Sequence, residues 1–114
     1  MLSLNTTSRR RALHIGRELS TSRALVGGPD GAGGLTLYLA DGGEVLEVAL
    51  HLDRGGWPEA RPVRKLLDPH NPPEGDHPRA PCALAAADGL LWVADAADHG
   101  LYVIDLGSGA VGRA

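Results

Sequence analysis

The chain has 114 residues, of which 43% are hydrophobic and 22% charged, a composition typical of a folded globular protein. Its 16 glycines and 8 prolines, together with the absence of phenylalanine, favour short strands, many tight turns and a core built mainly from Leu, Val and Ala. The net charge of −3 combines +4 over residues 1–23 with −7 over the remainder, and an acidic body argues against a nucleic-acid-binding surface.

Residues 1–26 form a basic N-terminal segment that fits neither a helical nor a strand period cleanly, so a short helix and an irregular strand both stay open. Arg9, Arg10 and Arg11 resemble the start of a twin-arginine export signal. However, charged residues follow where an apolar stretch should be, and we predict no targeting segment. We therefore expect a soluble, cytoplasmic protein. Residues 27–34 are predicted to be a loop from their glycine content.

A β-hairpin is predicted over residues 35–52. Leu35, Leu37 and Leu39 alternate with other residues at the period of two that is typical of a strand. A turn follows at residues 41–43, where two glycines tolerate the positive φ angles of tight hairpins. A second alternating stretch then runs over residues 46–52.

Most of the prolines lie in residues 53–81, and each proline lacks an N–H donor for strand pairing. We predict a long, proline-rich surface loop here, with one turn of helix around residues 63–67. Long loops of this kind often carry function. Trp57 is expected to be exposed within it.

The strand pattern returns in residues 83–106. Short strands are predicted at 83–87, 90–94 and 101–106, separated by turns at 88–89, 95–100 and 107–109, so that the segment forms a β-meander. The middle strand is apolar without alternation, which predicts burial on both faces and a buried Trp92. Replacing that tryptophan by alanine is expected to cost about 3–5 kcal/mol.

A five-residue motif occurs twice, as Leu37-Tyr38-Leu39-Ala40-Asp41 and, 54 positions later, as Leu91-Trp92-Val93-Ala94-Asp95. The second copy lies within a longer pattern of Pro81, a small apolar strand, Asp88-Gly89, His99 and a β-branched strand over 101–105. This pattern resembles a blade of the NHL-repeat β-propellers and, more broadly, of the SMP-30/gluconolactonase group. Asp98, Gly100 and Ala83 depart from the usual family residues at their positions.

The resemblance implies an all-β fold, an incomplete β-propeller of roughly two antiparallel meander blades. Residues 27–114 would hold the hairpin repeats and residues 1–26 the irregular basic segment. Propellers need about four to eight blades. The resemblance therefore also implies self-association, for which a ring of three copies is the favoured ordered form, or membership of a longer chain. Whether the chain forms a ring of copies or belongs to a longer protein, the resemblance implies that Asp95 accepts hydrogen bonds from backbone N–H groups of the following turn and that His99 closes this turn.

Candidate catalytic or ligand-binding motifs are incomplete. Residues 107–112 match G-x-G-x-x-G, but the helix and the distant acidic residue of a dinucleotide site do not follow, so a turn is the better interpretation. Asp68, His70, Asp76 and His77 could bind a metal, yet their spacing matches no closed site. Cys82, the single cysteine, has no basic neighbour except Arg79 to activate its thiol.

From these observations we assign no catalytic, cofactor-binding or metal-ligating residue, and no cofactor. The favoured function is a non-catalytic NHL-like propeller segment that acts as a scaffold for a protein or small-molecule ligand, without nucleic acid or membrane as partner. The alternative is a fragment of a metal-dependent lactone hydrolase of the SMP-30/gluconolactonase type, which would require acidic metal ligands to recur on inner strands.

Overall fold

A computed structural model describes residues 22–29, 35–52 and 54–114 of the chain. The described residues form eight β-strands and no helix, so they include no helix with the length and hydropathy for crossing a bilayer. The strands are β1 (Ser22–Pro29), β2 (Leu35–Asp41), β3 (Glu44–Leu52), β4 (Pro58–Leu67), β5 (Pro81–Ala87), β6 (Leu90–Asp95), β7 (Leu101–Asp105) and β8 (Val111–Arg113).

The strands form two four-stranded antiparallel sheets in which neighbours in sequence are neighbours in space. The N-terminal sheet has the order β1-β2-β3-β4 and the C-terminal sheet the order β5-β6-β7-β8. Each sheet is thus an up-and-down meander, which needs only short hairpin connections. The all-β class expected from the sequence is confirmed.

Both predicted hairpins are confirmed. β2 pairs with β3 so that Leu39 lies opposite Leu46, and β6 pairs with β7 so that Val93 lies opposite Tyr102. The first hairpin turns at Gly42 and Gly43, whose φ angles of 56° and 90° would strain any residue with a Cβ atom. The glycines of the turn sequence therefore fix the position of this hairpin.

The proline-rich stretch is only partly a loop. Residues 58–67, predicted as loop and helical turn, form the ten-residue strand β4 instead. β4 is the edge strand of its sheet, with register shifts against β3 on either side of Leu46 and Glu47. An edge strand accommodates proline because one side of it makes no ladder hydrogen bonds. The loop proper covers residues 68–80, which we call the proline loop.

Strand β1 crosses the boundary that the sequence suggested between residues 26 and 27. It pairs with β2 along residues 22–29, including Gly27 and Gly28, which were predicted to lie in a loop. The side chain of Leu37 lies 3.1 Å from the point where a Cβ atom on Gly27 would stand. Close strand packing therefore explains this glycine. The rest of the basic segment, residues 1–21, and residues 30–34 lie outside the described residues.

The larger of two buried clusters among the described residues lies between the two sheets. This cluster of buried side chains joins strands of both, with a contribution of Tyr38, Ala40, Val45, Leu66 and Leu67 from the N-terminal sheet and of Leu91, Val93, Tyr102 and Ile104 from the C-terminal sheet. Burying apolar surface stabilises by about 25 cal/mol per Å². Since the cluster draws on both sheets, removing either one would expose the other's packed face.

A polar contact also links the sheets. The guanidinium of Arg64 on β4 donates to the Glu47 carboxylate at 2.8 Å and to the backbone carbonyl of Leu106 in the C-terminal sheet's last turn. Burial, and then the nearby charge of Glu47, raises the pKa of the Tyr38 phenol. Arg64 thus satisfies a carboxylate beside the core while it fixes the position of the opposite sheet's turn.

The two tryptophans are less different than the sequence suggested. Trp57 is 45% exposed, which confirms its prediction, but Trp92 is 36% exposed, so the prediction of a well-buried Trp92 is wrong. β6 alternates between buried Leu91 and Val93 and the more exposed side chains of its other face. Within the described residues, only one face of the C-terminal sheet has a neighbouring sheet, so the burial on which the expected cost of about 3–5 kcal/mol for removing Trp92 depended is not present.

Candidate functional site

The proline loop borders two clefts. The first has a volume of about 320 Å³ and a wall dominated by Pro69, Pro72, Pro73 and Pro78. The second, of about 310 Å³, is lined mainly by polar and charged side chains. His77 and Arg79 line both clefts. The two clefts are therefore adjacent, one apolar and one charged.

The charged cleft is organised by the turn between β6 and β7. The carboxylate of Asp98 accepts hydrogen bonds from the backbone N–H of Gly100 at 2.7 Å, from the hydroxyl of Tyr102 at 2.5 Å and from the guanidinium of Arg113 at 2.7 Å. Arg113 also lies over the Tyr102 ring, 4.8 Å from its centroid, and reaches toward Asp76 of the proline loop at 3.7 Å. One carboxylate thus connects β7, β8 and the turn.

Hydrogen bonding shifts the titration of this group of side chains. The hydroxyl of Tyr102, followed by the Gly100 N–H and the Arg113 guanidinium, holds the pKa of Asp98 well below its usual range. Conversely, the hydrogen bond to Asp98 raises the pKa values of Tyr102 and Arg113. At neutral pH the cluster therefore holds a carboxylate, a neutral phenol and a guanidinium.

Asp95 holds the start of the same turn. Its side chain is 3% exposed, and its Oδ1 accepts the backbone N–H groups of Ala80 at 2.7 Å and Ala97 at 3.2 Å. The predicted role of Asp95 as an acceptor of backbone N–H bonds is confirmed. Because Ala80 ends the proline loop, Asp95 also fixes that loop against the hairpin, which the sequence did not predict.

The predicted closure of the turn by His99 is not what the structure shows. His99 is exposed and has a φ angle of 58°, in the left-handed region, so its backbone conformation reverses the direction of the chain. The backbone N–H of Asp95 donates to the Gly100 carbonyl at 2.9 Å and closes the turn, and the carboxylate of Asp98, a residue that departs from the family pattern, accepts the Gly100 N–H within it. Asx turns, in which Asp bonds the N–H two residues later, were the available sequence signal for this role.

The four candidate metal ligands are not brought together. Asp68 accepts the backbone N–H of His70 at 3.0 Å, His77 Nδ1 lies 3.0 Å from the Gly75 carbonyl, and Asp76 faces Arg113. Across residues 22–29, 35–52 and 54–114, no three His, Cys, Asp or Glu side chains form a group suited to a metal ion. These side chains shape the proline loop through local hydrogen bonds.

The G-x-G-x-x-G stretch is a turn, as the sequence analysis favoured. The Asp105 carboxylate accepts the backbone N–H groups of Gly107 and Ser108 at 2.8 and 3.1 Å, and Gly109 has a φ angle of 82°. The strand β8 follows where a nucleotide site needs a helix. Cys82 is a free, half-buried thiol that contacts the Ala94 carbonyl at 3.4 Å.

The Asp98 cluster leads to a pH-dependent prediction. Since the folded-state pKa of Asp98 lies below its unfolded value, its charge stabilises the fold above the unfolded pKa, and this contribution is lost as the pH falls through the folded one. We expect Asp98→Asn to lower the urea midpoint at pH 6 and to have a progressively smaller effect from about pH 4 downward. An equal difference between variant and wild type at pH 6 and pH 2 would contradict this role.

Comparison with known proteins gives no relative to set beside this geometry: no family model matches the chain, and no curated protein or solved structure matches it.

Proposed function

We propose that the chain is a non-catalytic segment of an NHL-like propeller that serves as a binding scaffold. The supporting observation is the repeated architecture: two consecutive four-stranded meanders pack face to face, and the two copies of the five-residue motif occupy β2 and β6, the second strand of each. Asp41 and Asp95, which end these copies, are both buried. Equivalent residues thus occupy equivalent places in two stacked units, as repeat architectures require.

The proposed binding surface is the pair of clefts beside the proline loop. Their combined groove has an apolar wall of prolines next to a charged region with Arg79 and Arg113. Long loops held on a rigid scaffold are common binding elements. Here Asp95 fixes the end of the loop, which reduces the conformational entropy lost on binding. Because Arg113 is already paired with Asp98 and Asp76, Arg79 is the cation offered to a ligand, and we propose an extended, mainly apolar peptide with one acidic side chain as the partner.

The charged side chains of the clefts favour binding over metal-dependent hydrolysis of a lactone. Asp98 is held by Tyr102 and Arg113, and Asp68 by the His70 backbone, with Lys65 at 3.8 Å. A carboxylate engaged in this way is a poor metal ligand until those hydrogen bonds break. In the cytoplasmic location that we propose, the thiol of Cys82 would remain reduced.

Selection from a phage-displayed library of random heptapeptides tests this function. We expect selected peptides to bind the wild-type chain with micromolar affinity, measured by fluorescence anisotropy, and Arg79→Ala to weaken them by about tenfold or more, the loss of one charge-assisted contact. Arg54→Ala, at an exposed position in the β3–β4 turn, is the matched control and should leave binding unchanged. Peptides whose binding is insensitive to Arg79→Ala would count against the groove.

A further inference from the structure

The outer face of the C-terminal sheet is apolar and uncovered. On the side away from the N-terminal sheet, the register of β5 to β8 places one exposed carboxylate, that of Asp105 at the end of β7, and nine uncharged residues. The uncharged residues are Ala83, Ala85, Ala87, Leu90, Trp92, Ala94, Leu101, Val103 and Gly112, and each of them is exposed or half-buried. Leu101 is 47% exposed and Trp92 36%. Since Asp105 lies at the end of its strand, the rest of this face is uncharged, and an exposed apolar face of this kind marks an interaction surface.

The packing inside the chain shows what kind of surface covers such a face. In the five-residue repeat Tyr38 corresponds to Trp92 and Ala40 to Ala94. Tyr38 and Ala40 are buried in the cluster between the sheets. The outer face of the C-terminal sheet is therefore the equivalent of a face that already packs on a sheet, and it continues the stack that the established interface begins.

A ring of identical copies would require that face to meet the outer face of another copy's N-terminal sheet. Part of that second face is already buried within a single chain: Leu39, Leu46 and Val48 are 7%, 3% and 1% exposed and form a separate cluster, whereas Leu35 and Leu52 at the other end of the face are 37% and 67% exposed. A head-to-tail ring would have to open this cluster. The burial of this cluster therefore disfavours the ring of three copies, whereas among the described residues no such cluster has to open at the outer face of the C-terminal sheet.

The outer face is complementary to itself. β5 contributes a row of small side chains, Ala83, Ala85 and Ala87, beside the taller Trp92 and Leu101 on β6 and β7. A two-fold axis parallel to the strands, between these rows, places each copy's alanine row opposite the other copy's large side chains. We propose that two copies of the chain associate through this face, in a dimer of four stacked sheets.

The area predicts a weak dimer. The strands β5 to β8 have seven, six, five and three residues, so at the usual strand spacing the whole outer face covers roughly 330 Å² per copy, and a two-fold axis off its centre buries only part of it. Stable interfaces bury about 800 Å² per partner, so we expect a dissociation constant of about 100 µM. Each copy carries a charge of −3, which opposes association at low salt. Raising the salt concentration should therefore strengthen the dimer.

Sedimentation equilibrium of the full chain from 5 µM to 1 mM tests the proposal. We expect the mass to rise from the monomer's 11.9 kDa toward twice that value. Ala85→Arg, at an exposed position, and Leu101→Lys should each raise the dissociation constant at least tenfold. Leu52→Lys, at a residue 67% exposed on β3, is the control that should not. Backbone NMR spectra at 5 µM would show that each variant keeps the wild-type fold.

Three outcomes would overturn the dimer: a monomer at 1 mM, a trimer, or association that survives both face substitutions in folded variants. The inference adopts from the proposed function only the two sheets as stacking units and uses none of the cleft residues. Peptide binding lost through Arg79→Ala with dimerisation intact, or the reverse, would therefore show which of the two proposals fails.

Discussion

Replacing Leu91 by alanine is expected to lower the free energy of unfolding by about 2–5 kcal/mol. Leu91 is 0% exposed on β6 and lies in the cluster that joins the two sheets. Truncation removes buried methyl groups and leaves a cavity that neither sheet can fill without shifting against the other. For a chain of this size the loss is a large fraction of the total stability.

Leu101→Ala provides the matched control, since it makes the same chemical change in the same sheet. Leu101 lies on β7, on the outer face, and is 47% exposed, so we expect a loss well under half that of Leu91→Ala. Urea unfolding followed by tryptophan fluorescence at 5 µM, below the proposed dissociation constant, measures both. Similar losses for the two variants would contradict the burial of the inner face of the C-terminal sheet against the N-terminal sheet.

Asp95→Ala is expected to cost about 1–3 kcal/mol, because it leaves backbone donors without their acceptor in a buried position. Its carboxylate holds both the N–H of Ala97, in the turn, and that of Ala80, at the end of the proline loop. The loss should therefore reach beyond the hairpin. We expect the amide of Ala80 to exchange with solvent faster in the variant, as measured by hydrogen exchange.

Asp105→Ala is the corresponding change in the next turn. Asp105 also accepts two backbone N–H groups, those of Gly107 and Ser108, but it is exposed, so water can replace it. We expect a loss of less than about 1 kcal/mol, as for a solvated hydrogen bond. If Asp95→Ala and Asp105→Ala lower the free energy of unfolding in urea by the same amount, burial is not what distinguishes Asp95.

Alternation and turn chemistry allowed the sequence to predict the two central hairpins. Gly42 and Gly43 adopt the positive φ angles that a tight hairpin needs, and the Leu35–Leu39 alternation places one set of side chains on each face. Both signals are local, because they depend on the φ preference of single residues and on the period of a strand. The role of Asp95 followed from the same kind of local pattern.

Structural features that depend on residues distant in sequence were not predictable from the sequence. The prolines of β4 predict a loop because proline cannot donate a ladder hydrogen bond in a central strand. The position of β4 at the edge of its sheet is what makes these prolines acceptable. The clefts were missed because Asp98 and Arg113 meet only when β8 returns beside β7, 15 residues later. Among the residues that line the clefts, the sequence identified Asp76 and His77 as candidates, but it did not predict that Asp76 would lie near Arg113 or His77 near the Gly75 carbonyl.

The sequence by itself determined which residues form strands around the tight turns and that the fold is all-β, since period and turn chemistry act between neighbours along the chain. Which face of each sheet is buried was decided by the tertiary structure alone. Trp92 lies in an unbroken apolar strand, yet it remains exposed because a strand buries both faces only where sheets pack on both sides. In the part of the chain that the structure describes, the C-terminal sheet has one such neighbour, and the packing of that pair fixes the cluster between them.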